Sequence, residues 1–366
     1  MKSLTRRSLL AGSVPAAMAG ATLLGGRGAP GAVAAEHGTA GHDAPQTTAG
    51  KGAHDDHAGF RGRKVDHKAN GFDPQAILRD FDYGKTTRMA SGRILREWTL
   101  IAGDQEVEVA PGVKFPAWSY NGRIPGPTLR AREGERLRVT LVNGSQHPHT
   151  IHFHGIHTAR ADGVAGQGDG NIPVGGRAVY EFDATPFGVH LYHCHVRPLA
   201  EHIGKGLYGA FIIDPKEERE EADEMVMVMN GFDTNFDRAN ELYAVNTIGF
   251  AYMDDPVQVV KDELVRIYLV NILEYDLINS FHLHANFFDW YPTGTRRQSM
   301  DFTDTVMLCQ GQRGILEVNF ENLGEYMFHA HQSEFTELGW QGFFEVCESR
   351  GQAKALCDLR ERKQAP

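Results

Sequence analysis

The fold class this sequence predicts is all-β, built as two similar Greek-key β-sandwich halves. Three observations carry it. The chain repeats itself at a spacing of about 130 residues, which signals duplication of one folding unit. "GERLRVTLVN" (134–143) returns as "DELVRIYLVN" (262–271), "GVHLYHCH" (188–195) as "GEYMFHAH" (324–331), and "GLYGAFIID" (206–214) as "GWQGFFEVC" (339–347). The repeated segments alternate in the manner of strands and are cut by turn sequences such as "YNGRIPGP". Finally, 41 glycines and 16 prolines in 366 residues suit a turn-rich chain.

Along the chain, residues 1–35 read as an export signal. Arg6 and Arg7 in "LTRRSLLAG" precede an apolar stretch, and a small-residue "AVA" precedes Ala35. This is the pattern of a twin-arginine signal, so the mature protein is expected in the periplasm or outside the cell. Residues 36–70 are rich in Gly, Ala, His and Asp and lack periodicity, which predicts a disordered linker. Its five histidines either belong to a solvated tail or gather metal ions. The first sandwich is expected over 71–215 and the second over 225–348, with "KEEREEADE" (216–224) as a charged hinge and 349–366 as a C-terminal tail. The alternating methionines of "MVMVM" (225–229) are expected to form one core face of a strand.

Composition narrows the function. A net charge of −10 disfavours nucleic acid as a partner. No apolar run in the mature body is long enough to span a membrane. Four cysteines do not make a disulfide framework. Cys347 and Cys357 could pair in an oxidising compartment, Cys309 reads as a buried thiol, and Cys194 stands between two histidines.

The histidines are the strongest signal. Of 18 in the chain, ten fall in four short clusters: His149, His152 and His154; His193, His195 and His202; His282 and His284; His329 and His331. On a strand an H-x-H pair projects both imidazoles from one face. In "HCH", His193 and His195 therefore point one way and Cys194 the other, so a single strand can serve two metal sites.

These four clusters resemble the copper-binding motifs of multicopper oxidases, and the two-half layout resembles the two-domain, laccase-like members. The resemblance covers nearly all of the chain beyond the linker and implies cupredoxin-like domains. It also implies four coppers per chain and oxidation of small reducing substrates at the expense of dioxygen, which is reduced to water. Carried over by position, His149, Cys194 and His202 match the ligands of the blue type 1 copper. Here the chain departs from the family, because His202 lies eight residues after Cys194 where most members have five. Leu207 falls on the axial position and cannot ligate, which implies a higher reduction potential than methionine would give. His152 and His282 match the type 2 ligands, while His154, His193, His195, His284, His329 and His331 match those of the type 3 pair. Ala330 replaces the cysteine in the second half, so that half is expected to lack a blue copper. The resemblance further implies a homotrimer whose three-copper clusters lie between chains.

Copper nitrite reductases resemble the chain in layout but have H-x-x-D-x-H at the first cluster and no histidine directly after the cysteine. Here His152 and His195 fill those positions. A copper store or electron carrier is the non-enzymatic alternative. Proton delivery calls for a carboxylate near the cluster, and Asp162, Asp289 and Glu334 are the candidates. His147, His157 and His190 receive no role. Phenols and aromatic amines are the substrates the resemblance suggests, with metal ions as a further possibility.

Overall fold

A computed structural model describes residues 64–168 and 170–352. The expected signal segment, residues 36–63 of the expected linker, Cys357 and the last 14 residues of the tail lie outside them.

The described chain is two sandwiches of strands. In the first half, one sheet runs in the order Phe81–Asp82, Thr128–Arg132, Tyr208–Asp214, Gly188–His193, His152–Phe153. Its partner sheet holds Lys85–Arg88, Ile94–Ala110, Arg136–Asn143 and Arg177–Asp183, with Val113–Tyr120 folded back on the long second strand. The second half repeats the plan. One sheet runs Val257–Val260, Gln341–Cys347, Gly324–His329, Ile278–Leu283, Thr305–Cys309. The other runs Leu242–Val245, Asp223–Phe232, Leu264–Asn271, Arg313–Asn319, Phe288–Pro292, Asp301–Thr303. Parallel pairing of Tyr208–Asp214 with Thr128–Arg132 joins segments far apart in sequence.

Each sandwich has its own aromatic core. Trp98, Phe153, Phe182, Tyr192 and Phe211 fill the first, and Phe281, Phe288, Phe328, Trp340 and Phe344 the second. A third apolar layer lies between the halves. On Asp223–Phe232, Met225, Met227 and Met229 enter the second core, while Val226 and Val228 face Val189, Leu191, Ala210 and Ile212 of the first half. The same strand is thus buried on both faces. Residues of Gly188–His193 also divide between two cores, with Leu191 in the shared layer and Tyr192 in the first core.

Three expectations are corrected. The linker ends before residue 70. Asp66 caps a short helix (His67–Asn70) by accepting from Ala69 N, and buried Asn70 exchanges two 2.9 Å hydrogen bonds with the backbone of Glu108. A polar composition hid this, because side-chain-to-backbone bonds and the single buried Val65 hold the segment without a periodic apolar pattern. The hinge also ends early, since the first strand of the second half begins at Asp223. Cys309, expected to be buried, is exposed, because alternation along Thr305–Cys309 turns Val306 and Leu308 inward and leaves Met307 and Cys309 outside.

Glu224, the last residue of the expected hinge, is paired with two guanidinium groups. Arg130 bonds Asp214 at 2.8 and 2.9 Å and Glu224 at 2.6 Å, while Arg266 bonds Glu224 at 3.1 Å and Glu317 at 2.6 Å. Both guanidinium groups are buried, so the pairing satisfies charges that could not otherwise stay inside.

Candidate metal centre

One group forms where His149, the end of Gly188–His193 and a short helix (Leu199–Gly204) meet. The ring Nδ1 atoms of His149 and His202 and the sulfur of Cys194 all lie within 4.8 Å of one another, and all three residues are buried. Sγ is 3.2 Å from His202 Nδ1 and 3.8 Å from His149 Nδ1. The extra residues before His202 fold into that helix, which turns His202 back toward Cys194 and accounts for the longer spacing. Ser145 Oγ, 2.9 Å from His149 Nε2, occupies the ring's other nitrogen, leaving Nδ1 for the shared site. Trp118 packs its ring against both imidazoles, at 5.3 and 4.7 Å between centroids. Leu207 is buried in the same core as Cys194, and its carbonyl accepts from Cys194 N at 2.9 Å.

Burial, followed by the neighbouring imidazole, pushes His149 down to about 3. Burial also pushes His202 down to about 4, so both rings are neutral donors at physiological pH. Burial raises the Cys194 thiol, an effect a bound cation reverses. Two imidazoles and one thiolate form the trigonal donor set that fits copper.

Two further groups are built alike, one in each half. His152 pairs across the sheet with His193, and His282 with His329. His154 Nε2 faces His193 Nε2 at 2.9 Å, and His284 Nε2 faces His329 Nε2 at 2.9 Å. The Nδ1 atoms of His193 and His329 are turned to the backbone oxygens of Cys194 and Ala330. His195 N donates to Thr150 Oγ1 at 3.0 Å, and His331 N to Ser280 Oγ at 2.7 Å. His195 lies 5.3 Å from His152 between ring centroids, and His331 lies 5.3 Å from His282. The repeat therefore extends to single hydrogen bonds, and those at Nδ1 turn the Nε2 atoms of His193 and His329 inward. Burial, reinforced by neighbouring imidazoles, pushes His154 down to about 3, and burial pushes His193 down to about 4; His152, His284 and His329 are also lowered, with burial the main cause. Neutral nitrogens converging in this way fit a metal cluster. Among the described residues, no such group draws histidines from both halves.

In the second half, Ala330 and buried Asn279 stand where Cys194 and His149 stand in the first. Without a thiol or that imidazole, no second blue site can form there.

The three carboxylate candidates separate. Asp162 Oδ1 lies 3.1 Å from His152 Nδ1 and 3.3 Å from His157 Nε2, and its carbonyl is 2.8 Å from His152 Nδ1. Asp289 is not with the histidines. It lies in Phe288–Pro292 of the other sheet, opposite Glu317, because Phe288 and Trp290 turn into the core. Glu334 sits exposed on the first turn of a short helix (Ser333–Glu337), and among the described residues no contact joins it to the ten histidines. Sequence reasoning missed His157, Asp304 and Thr305. Asp304 O and Thr305 Oγ1 lie 3.0 and 2.8 Å from His282 Nδ1, and their only sequence signal is a strand pairing with Ile278–Leu283.

Comparison with known proteins agrees with this arrangement. Family models described as multicopper oxidase match residues 102–218 and 221–349. A solved structure described as a multicopper oxidase is similar at 59% identity over 78% of this chain and 100% of that one, with a TM-score of 0.76. A blue copper oxidase from Nitrosomonas europaea is similar at 25% identity over 69% of this chain and 86% of that one, with a TM-score of 0.64. The copper-containing nitrite reductase of Neisseria meningitidis is 28% identical over 280 residues, 70% of this chain and 68% of that protein. With both halves matched by models of that family, the chain belongs to the multicopper oxidases.

Proposed function

We propose that this oxidoreductase takes electrons singly from small reducing substrates, with phenols and aromatic amines as the preferred class, and reduces dioxygen to water. The carrying observation is the complete four-histidine group of the second half, His282, His284, His329 and His331, which mirrors that of the first. An electron carrier would need only the site at Cys194. Copper, when bound, would supply one-electron transfer at His149, Cys194 and His202 and dioxygen reduction at the eight remaining histidines, with four ions per chain.

The protein's own residues do the rest. The partners of Nδ1 in His152, His193, His282 and His329 hold those rings so that Nε2 stays available. Asp162 is the acid best placed to hold a proton, at Oδ1 beside His152 and His157. Because each half gathers only half of the cluster histidines, a homotrimer in which neighbouring chains complete one another is the assembly we propose. Leu277 (89% exposed) and Met307 (67% exposed) lie by the strands that carry the second group, as an interface to a neighbour would. Export by the twin-arginine route, to the periplasm or beyond the cell, is part of the same proposal.

The nitrite reductase relative keeps a second reading open. Copper analysis on the purified protein decides between them. Four ions per chain with oxygen uptake is expected; two ions with nitrite reduction would overturn the oxidase reading, and one would indicate a carrier. Cys194→Ser should lose the blue band and substrate oxidation while retaining the remaining copper.

A further inference from the structure

We propose that Arg313, on the second half of the chain, is a positioning residue for His154 on the first half. The inference rests on reading His154 as a type 3 ligand. His154 follows directly on the strand His152–Phe153, so it has less of the sheet to hold it than His152 has. Its N–H donates to Leu191 O at 2.8 Å, and Gly155 then turns the chain at φ +79°. A Cβ on Gly155 would stand 3.6 Å from Arg313 Nη2 and 3.7 Å from His190 Nδ1. These two side chains therefore lie at van der Waals distance from the turn after His154, whose positive φ favours glycine.

Arg313 is anchored for this task. Its Nε donates to Val189 O at 3.1 Å across the boundary between halves, and its Nη1 donates to Gly311 O at 3.1 Å. Gly311, at φ +77°, places the second half's backbone beside the ring itself, a Cβ there standing in van der Waals contact at 3.6 Å from His154 Cε1. His190 lies between the two, with Nδ1 3.1 Å from His154 O and Nε2 2.9 Å from Pro186 O. Among the described residues no carboxylate pairs with Arg313, and burial lowers its pKa, so it is not one of the chain's ion-pair staples. A bond to Val189 O alone could be made by a neutral donor. The guanidinium adds a rigid plane with one edge on the first half's strand and its Nη2 against the turn that sets His154.

The test compares Arg313→Met and Arg313→Gln with the wild type. Glutamine keeps a donor for Val189 O but loses the planar fork, so it guards against a folding failure in the methionine variant. The blue band, which reports Cys194 and its own histidines, should be unchanged in both. Cluster copper should be lost at roughly tenfold lower chelator concentration, the scale of removing a residue that orients a metal ligand. In the copper-free protein, the imidazole signal of His154, assigned by its loss in His154→Ala, should shift or broaden. A folded variant with wild-type copper retention and an unmoved His154 signal would overturn the proposal. Failure of the functional reading looks different: wild-type protein would bind no cluster copper at all, while the copper-free His154 signal would still report whether Arg313 positions the ring.

Discussion

Leu207 shows what one side chain can set. It is buried with Cys194 in the first core, where a branched hydrocarbon excludes water and offers no donor. Methionine has nearly the same volume, so Leu207→Met should cost less than about 1.5 kcal/mol of stability. By offering a weak sulfur donor it should lower the reduction potential of the blue site. Redox titration of the two proteins checks this, and an unchanged potential would mean that another residue occupies the axial place. At this scale the histidine groups were legible because an H-x-H on a strand is a local pattern. Their supports were not. Thr305 reaches His282 from a neighbouring strand, and His190 and Arg313 meet at Gly155 from opposite halves of the chain. Asp289 misled for the same reason: it follows "HLHANF" closely, yet the next strand carries it into the other sheet.

Among the elements, the hinge was legible in charge but not in role. The carboxylates of "KEEREEADE" read as a charged hinge, whereas Glu224 lies at the start of a strand between two buried guanidinium groups that come from 130 and 266. Burial alone would raise the Glu224 carboxyl; the bonds from Arg130, Tyr268 and Arg266 outweigh it and leave its pKa below the ordinary value. A carboxylate depressed in the folded state contributes stability above its unfolded pKa and loses that contribution as pH falls through the folded value. Glu224→Gln should therefore destabilise the protein by about 2 kcal/mol at neutral pH, the scale of hydrogen bonds to charged groups. Between about pH 5 and pH 3 the difference from wild type should shrink. Urea midpoints at the two ends of that range measure it, and a pH-independent gap would show that Glu224 acts only by packing. The helix Leu199–Gly204 is the other case. The sequence showed three surplus residues before His202, but only the fold shows them coiled so that the ring returns to Cys194.

For the whole molecule, duplication was the most legible property, and the layer between the duplicates the least. The proposed trimer rests on two half-groups of histidines that the described residues do not bring together within one chain. A His152→Ala, His154→Ala double variant and a His329→Ala, His331→Ala double variant should each be inactive alone. After dissociation and reassociation together, some mixed assemblies should contain intact clusters and recover a measurable part of oxygen uptake. No recovery at any mixing ratio would place the cluster within one chain and end the trimeric proposal.

The strand Asp223–Phe232 has no solvent side, and neither has Tyr208–Asp214 opposite it, since Ala210 and Ile212 face the shared layer while Phe211 and Ile213 face the first core. A gene cut between the repeats would thus encode two sticky products, each displaying a sheet of valine, leucine and isoleucine that nothing covers. Recombining this protein with its relatives by exchanging halves should succeed only where the donor half carries a matching layer. The unit available for such exchange is the pair of sandwiches rather than either one.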